Sequence, residues 1–131
     1  MAKILIIEDE APFRTILIRI LEEKGHEVVD VPDGSQALRL CQEQPIDLVL
    51  TDLIMPNKEG IETIIEVHKA FPSLPIIAMS GGGRSGPHDL LYAAATLGAR
   101  ATISKPFHVH QLLTLIQTHL APTPAKDTSK S

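Results

Sequence analysis

Short runs rich in Ile, Val and Leu recur along the chain, and between them the apolar positions fall into helical spacing. The runs at 3–7, 27–31, 48–52, 75–79 and 101–104 have the two-sided apolar character of strands buried in a parallel sheet. The second, within His26-Glu-Val-Val-Asp-Val31, is half polar, which predicts an edge strand. Phe13, Ile16, Leu17, Ile20 and Leu21 follow the i, i+3, i+4, i+7, i+8 rule of an amphipathic helix, with Pro12 in the first turn and Gly25 as the stop. Ala37, Leu38 and Cys41 mark a second helix ending before Pro45, and Ile61, Ile64, Ile65 and His68 a third ending before Pro72. Leu91, Ala94, Ala95 and Gly98 mark a thin fourth, and Val109, Leu112, Leu113, Ile116 and Leu120 the fifth. No periodicity survives past Leu120, so the spacing predicts one domain over 1–120 and a disordered tail over 121–131.

Repeated strand-helix alternation with short connections predicts an α/β fold, a parallel sheet with helices on both faces. The flavodoxin-like strand order 2-1-3-4-5 is one doubly wound solution, and its ligand crevice opens where the order reverses, at strands 1 and 3. Here strand 1 ends in Glu8-Asp9 and strand 3 in Asp52, while strand 4 leads to Ser80 and strand 5 to Lys105-Pro106. If the strands are parallel, those stations meet at one sheet edge. They bring together three carboxylates, a hydroxyl and an ammonium, a set suited to a divalent cation and phosphoryl transfer.

Composition narrows the partners. The chain has 131 residues, 44% of them hydrophobic, enough for a real core. A net charge of -4 gives no reason to expect nucleic acid or an anionic membrane as partner. The lone cysteine, Cys41, rules out an internal disulfide framework and suits a reducing cytoplasm. Nothing resembles a signal peptide or a membrane span, because Glu8-Asp9-Glu10 cuts off the first apolar run.

Glu8-Asp9, the turn Asp52-Leu-Ile-Met-Pro56 with Gly60 beyond it, Ser80, and Lys105-Pro106-Phe107 together resemble the signature of two-component response-regulator receiver domains. The resemblance runs from about Lys3 to Leu120. It implies that Asp9 and Asp52 are direct ligands of Mg²⁺ (or Mn²⁺), with Glu8 acting directly or through water and the Ile54 carbonyl completing the protein's share. It implies that Asp52 is the nucleophile that accepts a phosphoryl group from a phosphohistidine, with Lys105 clamping charge and Ser80 hydrogen-bonding a phosphoryl oxygen. A cis bond before Pro106 is implied as well. The implied partners are a sensor histidine kinase or phosphotransfer protein, docking near helix one, and a downstream protein reading helix four, strand five and helix five. Tyr92, Arg100, His110 and Gln111 are candidates to show on that second surface, and homodimerisation through it is possible.

Simpler roles compete for several residues. Glu8, Asp9 and Glu10 suit a helix N-terminus, and Asp52 suits a turn. The glycines of Ser80-Gly-Gly-Gly-Arg-Ser-Gly86 lack the Gly-Lys-Ser/Thr ending of a nucleotide loop. His108 and His110 have no third ligand nearby, and His68 falls on the third helix's apolar stripe as a partly buried side chain without chemistry.

Departures from the family pattern also matter. Thr102 stands at the switch position where Tyr or Phe is usual, so either output relies less on a ring rotamer and more on the long glycine loop after Ser80, or the coupling is weak. Ile54 and Gly82 occupy positions that tune hydrolysis, and an apolar Ile54 leads us to expect a long-lived phosphoform. Glu8 replaces the more common Asp. A phosphorelay intermediate returning the group to a histidine, and a degenerate receiver acting as a constitutive binding module, remain open. A metabolite phosphatase is disfavoured, because Ile54 stands where its Asp-x-Asp motif needs the second Asp.

Overall fold

Strand pairing begins where the sequence turns apolar and stops where it turns polar. In the computed structural model, which describes residues 2–53, 60–80 and 87–120, strands alternate with helices throughout. In chain order they are β1 (Lys3–Ile7), α1 (Ala11–Glu23), β2 (Glu27–Val31), α2 (Ala37–Glu43) and β3 (Leu48–Asp52). Then follow α3 (Gly60–Ala70), β4 (Ile76–Ser80), α4 (Pro87–Leu97), β5 (Ala101–Ser104) and α5 (Val109–Leu120). All strand pairs are parallel, in the order β2-β1-β3-β4-β5. The half-polar β2 lies at an edge, as its composition requires.

β4 starts one residue later than the apolar run suggests. Pro75 has no N–H, so it joins the ladder only through its carbonyl, which accepts from the Val49 amide at 3.0 Å. At the far end Ser80 belongs to the strand, its carbonyl accepting from the Lys105 amide at 2.8 Å.

Because the sheet is covered on both sides, both alternating faces of its strands are apolar. Ile4, Ile6, Leu48, Leu50, Ile77, Met79 and Ile103 pack against Leu17 and Leu21 of α1 and Leu112 and Ile116 of α5. Leu5, Ile7, Val49, Ile76 and Ala78 face Ala37 and Cys41 of α2, Ile64 and Val67 of α3 and Ala94 of α4. Each buried Ile, Leu, Val or Met side chain among them contributes roughly 1.5–3 kcal/mol relative to exposure. Among the described residues no helix is long and apolar enough to cross a membrane.

Glycines end two helices. Gly25, at φ 87°, follows the last turn of α1. Gly98, which the apolar spacing assigns to the fourth helix, instead lies just past it at φ 141°. Its N–H and that of Ala99 both return to the Ala94 carbonyl, at 3.1 and 2.9 Å. The half-buried His68 ring of α3 occupies the space a side chain would need there, since a Cβ on Gly98 would lie 2.6 Å from His68 Cγ.

Gly60 opens α3 against the end of β3. Its N–H donates to the Leu53 carbonyl at 3.0 Å. A Cβ there would lie 2.7 Å from Leu53 Cα and overlap the Asp52 carbonyl oxygen. Gly60→Ala should therefore cost about 1–3 kcal/mol and lower Tm by several degrees in a thermal melt. An unchanged Tm would show that the helix start withdraws freely from β3.

Candidate functional site

Side chains alternate along a strand, and adjacent parallel strands alternate in step. Ile7 pairs with Thr51, so the next residues, Glu8 and Asp52, stand side by side at the strand ends. Glu8 continues the face of Ile4 and Ile6, and Asp52 the face of Leu48 and Leu50, which is the side covered by α1 and α5. Register alone thus places two carboxylates together under the first turn of α1. Asp9, exposed, begins the connection to that helix. Carboxylate oxygens of Glu8, Asp9 and Asp52 all lie within 4.8 Å of one another.

Lys105 reaches this group from beyond β5. Its Nζ donates to Glu8 Oε1 at 3.0 Å and to Asp52 Oδ2 at 3.4 Å. The Lys105–Pro106 bond is cis. Backbone amides fix the remaining carboxylate oxygens: Leu53 N–H donates to Asp52 Oδ1 at 2.8 Å, and Glu10 N–H to Glu8 Oε2 at 3.1 Å. The Glu8 side chain is fully buried and that of Asp52 is 11% exposed.

The charges do not balance. Burial raises the Glu8 carboxyl above its ordinary pKa, against the hydrogen bonds from Lys105 and the Glu10 amide, and Asp52 raises it further. Burial also raises Asp52, while Lys105 and the Leu53 amide work the other way. For Lys105, burial favours the neutral form, but the charges and hydrogen bonds of Asp52 and Glu8 together raise its pKa. An isolated ion pair would raise the base and lower the acid. Here both acids rise because burial outweighs the lowering by Lys105 and the backbone amides, with the charge of a neighbouring carboxylate adding to the rise.

This donor set fits Mg²⁺. The ion takes hard oxygen ligands, keeps several waters and needs only one or two carboxylates from the protein. The three carboxylates, two buried and one exposed, offer it such a set of oxygens.

Other residues named from sequence fall into place around the cluster or outside it. Ser80, buried at the end of β4, shares the opposite sheet face with Ala78. It pairs with Ser104, one step past the Met79 that pairs with Asp52. Thr102 is half-buried opposite Ala78. Ile54, Gly82 and the rest of the 81–86 loop, and the tail over 121–131, lie outside the described residues. Tyr92, Arg100, His110 and Gln111 are all exposed, as is Ile16 on α1. His108 and His110 are exposed at the start of α5. The Nδ1 of His68 is buried with no hydrogen-bond partner among the described residues.

Two neighbours of the site were not evident from sequence. Arg14 donates through Nη1 to the Glu8 carbonyl at 2.6 Å and through Nε to Asp30 Oδ2 at 3.0 Å, tying the ends of β1 and β2. Phe13, which reads as part of an apolar stripe, lies beneath Lys105, with Nζ 4.5 Å from the ring centroid. The available signal was positional: α1 starts three residues after Glu8, so its first turn has to flank the pocket.

Known proteins share this arrangement of fold and sequence. The sequence profile of the response regulator receiver domain matches residues 4–117. The response regulator receiver protein CpdR of Brucella abortus (strain 2308) is 32% identical over 127 residues, which cover 92% of this chain and 98% of that protein. The crystal structure of a response regulator receiver domain protein from Clostridium thermocellum superposes with a TM-score of 0.86 at 29% identity, covering 97% of this chain and 100% of that one. A CheY-like receiver domain protein from Methanospirillum hungatei JF-1 does so with a TM-score of 0.86 at 26% identity, over 97% and 99% of the two chains. A profile match over most of the chain, on the five-stranded fold that carries this acidic pocket, makes the chain a member of the response regulator receiver domain family.

Proposed function

We propose that the chain is a phosphorylatable switch in which Asp52 accepts a phosphoryl group from a phosphohistidine. The observation that carries this reading is the meeting of Glu8, Asp9 and Asp52 at the crevice of the sheet, with Lys105 paired to Glu8 and Asp52. Membership of the receiver family implies a histidine kinase as partner. In that family the domain serves as a phosphoacceptor in signalling rather than as a classical enzyme.

The residues divide the work. Leu53 N–H holds one oxygen of Asp52 at 2.8 Å and so sets the plane of the carboxylate. A carboxylate oxygen of Asp52 attacks phosphorus, the P–N bond to the imidazole breaks, and the leaving nitrogen keeps the electron pair. The product is an acyl phosphate on Asp52. Lys105, 3.4 Å from Asp52, is placed to follow the negative charge onto the phosphoryl oxygens. Glu8, Asp9 and Asp52, with the Ile54 carbonyl, would hold Mg²⁺ (or Mn²⁺), which when bound supplies further positive charge to those oxygens. Ser80 would donate its hydroxyl to a phosphoryl oxygen. Water later cleaves the acyl phosphate, returning the carboxylate and inorganic phosphate.

Output passes through a protein surface. Phosphorylation adds about two negative charges to a pocket whose switch residues would be Ser80 and Thr102, biasing a two-state equilibrium. The exposure of Tyr92, Arg100, His110 and Gln111 supports the face of α4, β5 and α5 as the responding surface.

Acetyl phosphate added with and without Mg²⁺, followed by intact-protein mass measurement, tests the proposal. A single phosphoryl gain is expected in the wild type with Mg²⁺, and none in Asp52→Asn. No gain in a folded wild type under any condition would overturn phosphoacceptance and favour constitutive binding.

A further inference from the structure

We propose that Phe13 is a positioning residue for phosphoryl transfer, holding the Lys105 ammonium toward Asp52 through the face of its ring. The inference rests on Asp52 being the phosphoacceptor, and it adds a residue to that chemistry.

An ammonium has three N–H donors. At Lys105 one points to Glu8 at 3.0 Å and one to Asp52 at 3.4 Å. The Phe13 ring centroid lies 4.5 Å from the same nitrogen, within the range at which a ring face attracts a cation. With its side chain only 18% exposed, Lys105 thus meets two carboxylates and one π-face in place of most of its hydration shell.

This contact answers a positional difficulty. Lysine is a point charge on a flexible four-carbon stem. Beside it lies a recess of about 310 Å³ lined by Phe13, Lys105, Pro106 and Phe107, room into which the stem can swing away from Asp52. Attraction to the ring favours the inward position. Phe13 is itself oriented by Phe107, whose ring meets it edge-on at 6.0 Å between centroids and 64° between planes. Both aromatic rings sit on the α1 and β5–α5 sides of the pocket, so the ammonium is held from outside the carboxylate cluster. When a phosphoryl group arrives, Lys105 can move its hydrogen bond from a carboxylate to a phosphoryl oxygen while keeping the ring contact. A helix-one phenylalanine thereby serves the reaction without touching the phosphoryl group.

The experiment uses the full chain with phosphoramidate as a small donor, so that docking of a protein partner plays no part. Phosphorylation rates at saturating Mg²⁺ are read by intact mass for wild type, Phe13→Tyr and Phe13→Leu. The same rates are read for chains carrying mono-, di- and trifluorinated phenylalanine at position 13. Fluorination drains the ring face while nearly preserving shape and apolarity, so a merely packing role would not respond to it. Rates should fall stepwise with fluorine number, stay near wild type in Phe13→Tyr, and drop about three- to tenfold in Phe13→Leu. Equal rates across the fluorinated series, with the wild type active, would overturn the ring-face role alone. The fluorinated chains decide this even if Phe13→Leu fails to fold. A folded wild type that takes up no phosphoryl group would overturn the phosphoacceptor reading, and this one with it.

Discussion

The Lys105 ammonium bridges Glu8 and Asp52 from 97 and 53 residues away along the chain, and the local geometry of the crevice depends on that contact. It brings the end of β5 over the ends of β1 and β3. It faces more negative charge than it can neutralise. Two buried carboxylates contact it and a third, that of Asp9, lies beside them, and burial raises the pKa of both buried acids despite the ion pairs. Covered on both faces, the sheet gives Glu8 and Asp52 little water. A divalent cation, or a phosphoryl group with its cation, therefore acts on a pocket already unbalanced toward binding positive charge.

Everything around the pocket is arranged to hold that imbalance in place. Parallel pairing sets Glu8 beside Asp52. Gly60 lets α3 start directly against the Asp52–Leu53 backbone. Arg14 clamps the carbonyl of Glu8 without competing for its carboxylate. Apolar packing on both faces of the sheet makes these placements rigid, since the strands that end in the acids are buried along their length. Stability comes from the two cores, and the pocket at their edge is where some of it is given up.

Strand number and the edge position of β2 were legible because two-sided apolar runs have few other uses in a chain of this size, whereas the order 2-1-3-4-5 was one doubly wound solution among those that strand-helix alternation allows. β4 is shifted by one residue because apolarity does not report the missing N–H of Pro75. Helical spacing counts small residues as apolar and so takes in Gly98, whereas its φ of 141° and the His68 ring end the helix before it. Glu8, Asp9, Asp52 and Lys105 could be grouped from sequence since each ends or follows a strand of one parallel sheet. Phe13 and Arg14 could not. Their roles depend on how the first turn of α1 is rotated over the strand ends, and spacing leaves that angle free.

Burial of these charges makes a direct thermodynamic demand on Asp52. The raised pKa values mean that the ionised carboxylates destabilise the metal-free fold at neutral pH, and that this penalty shrinks as pH falls toward the carboxylate range. Thermal melts of wild type and Asp52→Asn at pH 7, in EDTA and in excess Mg²⁺, measure it. In EDTA the variant should melt above the wild type, and the gap should narrow at pH 5. Mg²⁺ at about 100 times its Kd should stabilise the wild type by about 2.7 kcal/mol, with the variant gaining less. A wild type that outlasts Asp52→Asn in EDTA would show that Lys105 fully compensates the carboxylates, and would contradict a pocket held under excess negative charge.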